Sequence, residues 1–163
     1  MLITANRAIS PLLSFDFYLE AYHRLVKTLK KEEDLKHLRE VLNGNLGSHI
    51  QNLILEENYD TLVVTCPKQH IVWVNDGFTQ MTGYTKHFAI GKRPSFLQGK
   101  ETPKSTTNEI KEQLKATKTY SGSVINHRKN GEPYLCKIQI LPLYDSQKEL
   151  THFIALEKEL LAA

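Results

Sequence analysis

The residues that could carry chemistry in this 163-residue chain are few: two cysteines and seven histidines set among ordinary charged side chains. A thiol becomes a nucleophile or redox centre only when its surroundings favour the thiolate. Cys66 has Lys68 close by and Cys136 is followed by Lys137, which gives a redox pair as one functional class to weigh. Strand positions alone do not fix the separation of the two sulfurs, so a disulfide is not established by spacing. His70, His87, His127 and His152 form no H-x-x-x-H, C-x-x-C or His/carboxylate pattern of ligand spacing, so a metal is not expected. The pairs Glu32-Glu33 and Glu56-Glu57 fall in helical stretches and read as solvated faces. No G-x-S-x-G, P-loop or Gly-rich dinucleotide fingerprint occurs. The chain is therefore not expected to be an enzyme.

Composition bounds the rest. Hydrophobic residues at 40% and charged residues at 24% are ordinary for a globular domain. The net charge of +3 is mild, with Lys and Arg interspersed among Glu and Asp, which argues against nucleic acid as a direct partner. No apolar run approaches the roughly 20 residues that cross a bilayer, and Met1 to Ile9 lacks the apolar core of a signal peptide. A cytoplasmic, membrane-free protein is the expectation, with no disulfide framework.

The elements that must position any site change character near Asn58. Ser10-Pro11 offers an N-cap and a first-turn proline. Phe15, Tyr18, Leu19, Tyr22, Leu25, Val26 and Leu29 then recur at steps of three and four, an amphipathic stripe. Leu35, Leu38, Val41 and Leu42 continue it to a stop at Asn43-Gly44, and Leu46, Ile50, Leu53 and Ile54 make a third short stripe. From Thr61 the signals are strands: 61–65 and 71–74 around a turn, a short helix capped by Asn75-Asp76 and ended by Gly83, then irregular turns to Gly99. Lys104 to Thr117 reads as a helix with Ile110, Leu114 and Thr117 on one side. Ser121 to Arg128 reads as a strand. Asn130-Gly131 predicts a type I′ hairpin into 134–143, and a turn at 145–149 leads to a last strand, 151–157.

This order, together with Val74-Asn75-Asp76-Gly77-Phe78, Thr82-Gly83-Tyr84, Asn126-His127-Arg128-Lys129-Asn130-Gly131 and Phe153-Ile154-Ala155, resembles the PAS family. The resemblance covers roughly Tyr59 to Glu159. Gly91-Lys92-Arg93-Pro94-Ser95-Phe96-Leu97-Gln98-Gly99 is similar to the G-x-N-C-R-F-L-Q-G signature of its LOV branch, which binds flavin and responds to blue light. The fold implied is α+β: a five-stranded antiparallel sheet with helices over one face enclosing a pocket, preceded by a helical extension. The division expected is 1–58 for the extension, 59–159 for the PAS domain and 160–163 for a tail.

The same resemblance assigns candidate pocket residues and shows where this chain departs from the pattern. Pro94 stands where LOV domains carry the photoactive cysteine, and proline has neither a thiol nor a backbone N–H. The arginine that follows it becomes Ser95, while a second phosphate-binding arginine becomes Lys111, a point charge without the bidentate fork. Arg93 replaces an asparagine and restores one cation from a shifted position. Gln98 and Asn126 are retained. Cys136 and Glu157 replace an amide pair, and an ionised Glu157 would meet a flavin carbonyl oxygen unfavourably. These changes describe a pocket that has drifted from flavin; no cofactor is the expectation, with FMN or another small ligand the alternative. An ion pair between Arg93 and Glu157 across the cavity is a further expectation, while the plainer readings put Arg93 in solvent and let Glu157 face water at a frayed end.

Two functional readings follow. The first is a non-catalytic sensory and signalling module that dimerises or binds a signalling partner through the stripe from Phe15 to Leu29. That stripe could instead fold back over the domain's own sheet. The second is a small-molecule or non-covalent flavin sensor, with a cavity lined by Phe96, Leu97, Leu114, Ile125 and Ile138.

Overall fold

The computed structural model describes residues 11–161; the N-cap expected at Ser10 lies outside them. Helix α1 (Pro11–Val41) is a single run of 31 residues. It stops where Asn43 and Gly44 take positive φ (51° and 78°), the left-handed turn that Asn-Gly favours. Helix α2 (Ser48–Glu56) follows. Strands β1 (Thr61–Thr65) and β2 (Ile71–Val74) match the sequence reading. Helix α3 (Asp76–Thr82) ends at Gly83 in the αL conformation.

The region read as irregular holds a short helix α4 (Lys86–Ala89) and a 3₁₀ turn over Pro94–Leu97 with proline at its start. Helix α5 (Lys104–Lys115) is shorter than expected: Thr117 lies beyond its end with φ 52° and is exposed. Three strands complete the chain: β3 (Tyr120–His127), β4 (Pro133–Tyr144) and β5 (Leu150–Leu160).

The strands form one antiparallel sheet in the order β2-β1-β5-β4-β3. Its β3–β4 hairpin corrects the expected type I′ turn. Only Gly131, not Asn130, has positive φ (88°). Arg128 N–H bonds to Glu132 O and Gly131 N–H to Arg128 O, the three-residue loop in which a glycine in αL follows an ordinary turn.

Both faces of the sheet are buried, and the period-two alternation of the strands divides the core in two. On one face Val63, Ile138, Ile140, Phe153 and Ala155 pack under Phe78, Met81, Ala89 and Leu97 from the α3–α5 side. On the other, Leu62, Val64, Leu141, Leu143, Ile154 and Leu156 pack under Leu35, Leu38 and Leu42 of α1 and Ile50 and Ile54 of α2. The helical extension thus splits in use. Its C-terminal half covers the sheet of its own chain, whereas Phe15, Tyr18, Tyr22, Leu25 and Leu29 are each more than half exposed and Leu19 and Val26 are partly covered.

Polar contacts pin α1 to the domain. Asp34 accepts from Tyr59 Oη at 3.2 Å and Asn75 Nδ2 at 3.0 Å. Lys31 Nζ donates to the Leu55 and Glu57 carbonyls at the end of α2. Asn75 does not cap α3 with its side chain, as the sequence suggests; its Oδ1 accepts from Leu62 N–H in β1.

Candidate functional site

The alternation that buries one sheet face under α3–α5 leaves a cavity of about 230 Å³ between them. Its floor comes from neighbouring strands in register. Val63 lies opposite Ala155, and Thr65 opposite Phe153; Ile138 lies opposite Glu157, and Ile140 opposite Ala155. Val124 and Asn126 of β3 complete the floor, and Leu97, Ile110 and Leu114 close it from above. Ile125, expected in the lining, is out of phase: Val124 and Asn126 take the cavity face, and Ile125 offers its backbone carbonyl to Thr102 Oγ1. Phe96 also leaves the lining and packs against Tyr84 and Phe88 at ring distances of 5.1 and 5.6 Å.

Five of the six candidate pocket residues meet here: Arg93, Gln98, Lys111, Asn126 and Glu157 all line the cavity. Cys136 lies just behind it, its Sγ 3.7 Å from Glu157 Oε2. Arg93 and Lys111 are exposed cations at the rim. Glu157 is only 3% exposed, so the reading that it faces water at a frayed end is overturned; β5 continues paired to Leu160. The expected Arg93–Glu157 ion pair does not form: among the described residues no cation lies within pairing distance of Glu157.

Electrostatics follow from that isolation. Burial pushes the Glu157 carboxyl up to about 7, offset in part by the Cys136 thiol that donates to it. Burial, followed by the Glu157 charge, raises Cys136 and Tyr134 as well, so both stay neutral. A thiol held neutral is a poor nucleophile, and Cys136 does not have the character of a redox centre. Cys66 sits in the β1–β2 turn, with Sγ 3.9 Å from His70 Nδ1. Among the described residues no three His, Cys, Asp or Glu side chains gather as a metal site, and no helix is long and apolar enough to cross a membrane.

The cavity's polar groups are legible in the sequence; the upward shift of the Glu157 carboxyl is not, because it depends on how completely the final strand is covered.

Residues 60–160 match the PAS domain family, and the chain belongs to it. Over 101 residues it is 36% identical to a blue-light photoreceptor of Listeria innocua, covering 60% of this chain and 40% of that protein. It is 27% identical over 127 residues to phototropin-2 of Oryza sativa subsp. japonica, covering 78% of this chain and 13% of that protein. The chain thus spans less than half the length of either relative. The fold is similar to the light-state structure of the Aureochrome1 LOV domain, with TM-score 0.62 at 23% identity over 67% of this chain and 88% of that one.

Proposed function

We propose that this chain is a non-catalytic PAS sensory module whose output element is its N-terminal helix. One observation carries the reading. Strand β5 alternates between the two cores, with Phe153, Ala155 and Glu157 lining the cavity and Ile154 and Leu156 packed under α1 and α2. A shift on the cavity side therefore changes the seat of α1 through a single strand, the physical link a sensor needs.

The exposed stretch of that helix from Phe15 to Leu29 is the contact surface. Phe15, Tyr18, Tyr22, Leu25 and Leu29 follow a three-four spacing over more than half exposed side chains. The positions flanking the stripe are Ala21 and Thr28 on one side and Leu19 and Val26 on the other. They carry no charge, so a second copy of the helix meets no repulsion there. Sedimentation should show a dimer, and a Tyr22→Glu/Leu25→Glu variant should be monomeric with its melting temperature retained. A wild-type monomer at every concentration would contradict this surface.

The open cavity favours a second reading, in which the module senses a small molecule. For FMN, the group that the LOV resemblance suggests, the donor set fits. Arg93 and Lys111 suit a phosphate, Gln98 and Asn126 supply amides for the ring edge, and the raised Glu157 carboxyl, once protonated, removes the clash expected of an ionised one. The volume lies below the roughly 300–1,000 Å³ of most ligand sites. Bound flavin would supply light absorption and redox chemistry, held non-covalently because Pro94 offers no thiol. Freshly purified protein should release a small molecule on denaturation, detected by absorption and mass spectrometry. Release of none would favour the interaction module alone.

A further inference from the structure

We propose that a second groove binds a short zwitterionic peptide of about three residues, with its ammonium end at Asp34 and its carboxylate end at Arg24 and Lys27. The groove holds about 440 Å³ between the middle of α1, the α2–β1 connection and the start of α3. It shares no lining residue with the cavity under α5, so the inference stands apart from the small-molecule reading of that cavity.

Charge carries it. The wall that α1 presents repeats at steps of three and four through Arg24, Lys27, Lys31 and Asp34. With Lys30 it brings four cations to the groove, and Glu33, Asp34, Asp60 and Asp76 bring four carboxylates. Among the described residues none of these charges pairs with another of them. Only Asp76 has an ionic partner, Lys86, which is not part of the lining. The signs are separated rather than mixed. All the cations lie on 24–31 of α1, whereas the carboxylates lie at 33–34 and on the facing edge at 60 and 76. Lys27 and Lys31 are like charges one turn apart, which costs a helix stability when nothing neutralises them. A groove of balanced charge and separated sign complements a molecule that is neutral as a whole and dipolar.

The hydrogen bonds assign the two ends. Lys31 is already engaged, its Nζ donating to the Leu55 and Glu57 carbonyls at 2.8 and 2.7 Å, which leaves Arg24 and Lys27 for the anion. Asp34 is half-buried and takes both of its donors, Tyr59 Oη and Asn75 Nδ2, on the single oxygen Oδ2. Among the described residues no donor meets its Oδ1, which is left for a cation. Lys27 and Asp34 are separated by a rise of roughly 10 Å along the helix. A single amino acid is too short to bridge that distance, and three extended residues span about the same length. Between the ends, the side-chain amides of Asn58 and Gln80 line the groove, and each offers a donor and an acceptor to a peptide bond. Arg24 and Lys27 belong to the projecting half of α1 and Asp34 to the seated half, so a bound peptide ties the helix to the edge of the domain.

Isothermal titration calorimetry of the full chain with triglycine tests this, against N-acetyltriglycine, triglycine amide and glycine. Triglycine should bind, and removing either end charge should weaken binding by at least about tenfold. Glycine should show no binding over the same range. Arg24→Ala/Lys27→Ala should bind triglycine no better than the amide, and Asp34→Asn no better than the N-acetyl form, with thermal melts establishing that each variant folds. Amide hydrogen exchange locates the site: saturating triglycine should raise protection along 24–34 and 58–60. Protection confined to α5 and the cavity strands, or no binding of triglycine at millimolar concentration, overturns the proposal. So does either capped tripeptide that binds as tightly as triglycine itself.

Discussion

At the scale of single residues, Glu157 decides how the pocket is understood. As a letter in the sequence it is a charge placed against a site that wants an amide. In the folded chain it is a proton carrier, because burial on β5 without a cation lifts its carboxyl from the ordinary 4.5 to about 7. The sign of the consequence is fixed. Between those two values the native state keeps a proton that the unfolded chain has released, so this contribution to stability is full below about pH 4.5 and is lost as pH rises through about 7. The loss is on the order of 3 kcal/mol once both states are ionised. Glu157→Gln should remove it. Urea melts across this range should show the variant holding its stability at pH values where wild type declines. Parallel curves for the two proteins would show that Glu157 is ionised and solvated in the folded state.

Elements show how much was legible and where the signal ended. Strand β1 could be read to the residue because TLVVT is buried on both faces and bounded by turn-forming residues. The cavity residues Gln98, Asn126 and Lys111 were legible through motif resemblance, and the structure brings them to one cavity. What escaped was set by neighbours distant in sequence. The phase of Ile125 depends on which face β4 offers to β3. The side chain of Asn75 turns to Leu62 and Asp34, 13 and 41 residues away, rather than to its own helix. Gly77 marks such a close approach: a Cβ there would stand 1.8 Å from the backbone oxygen of Asp60. Backbone cannot give way as a side-chain tip does, so Gly77→Ala should lower stability by about 3 kcal/mol, at the upper end of overpacking costs. Thermal unfolding measures this, and an unchanged midpoint would mean that α3 is free to move off β1.

For the whole molecule, the central feature is a sheet with two occupied faces, one toward a cavity and one toward a helix that runs on beyond the core. The C-terminal half of α1 is seated by Leu35, Leu38 and Leu42 and by the Asp34 contacts with Tyr59 and Asn75. Its other half carries the apolar stripe outward. A module of this form signals if the state of the cavity alters how firmly the seated half is held. The direct measurement is amide hydrogen exchange in wild type and in Ala155→Leu, which places added volume in the cavity from the strand that also carries Ile154 and Leu156. Exchange along 35–42 of α1 and 48–56 of α2 should change together with that of β5, at conditions matched for global stability. A change confined to β5 and the cavity helices, with α1 exchanging as in wild type, would contradict transmission through the sheet.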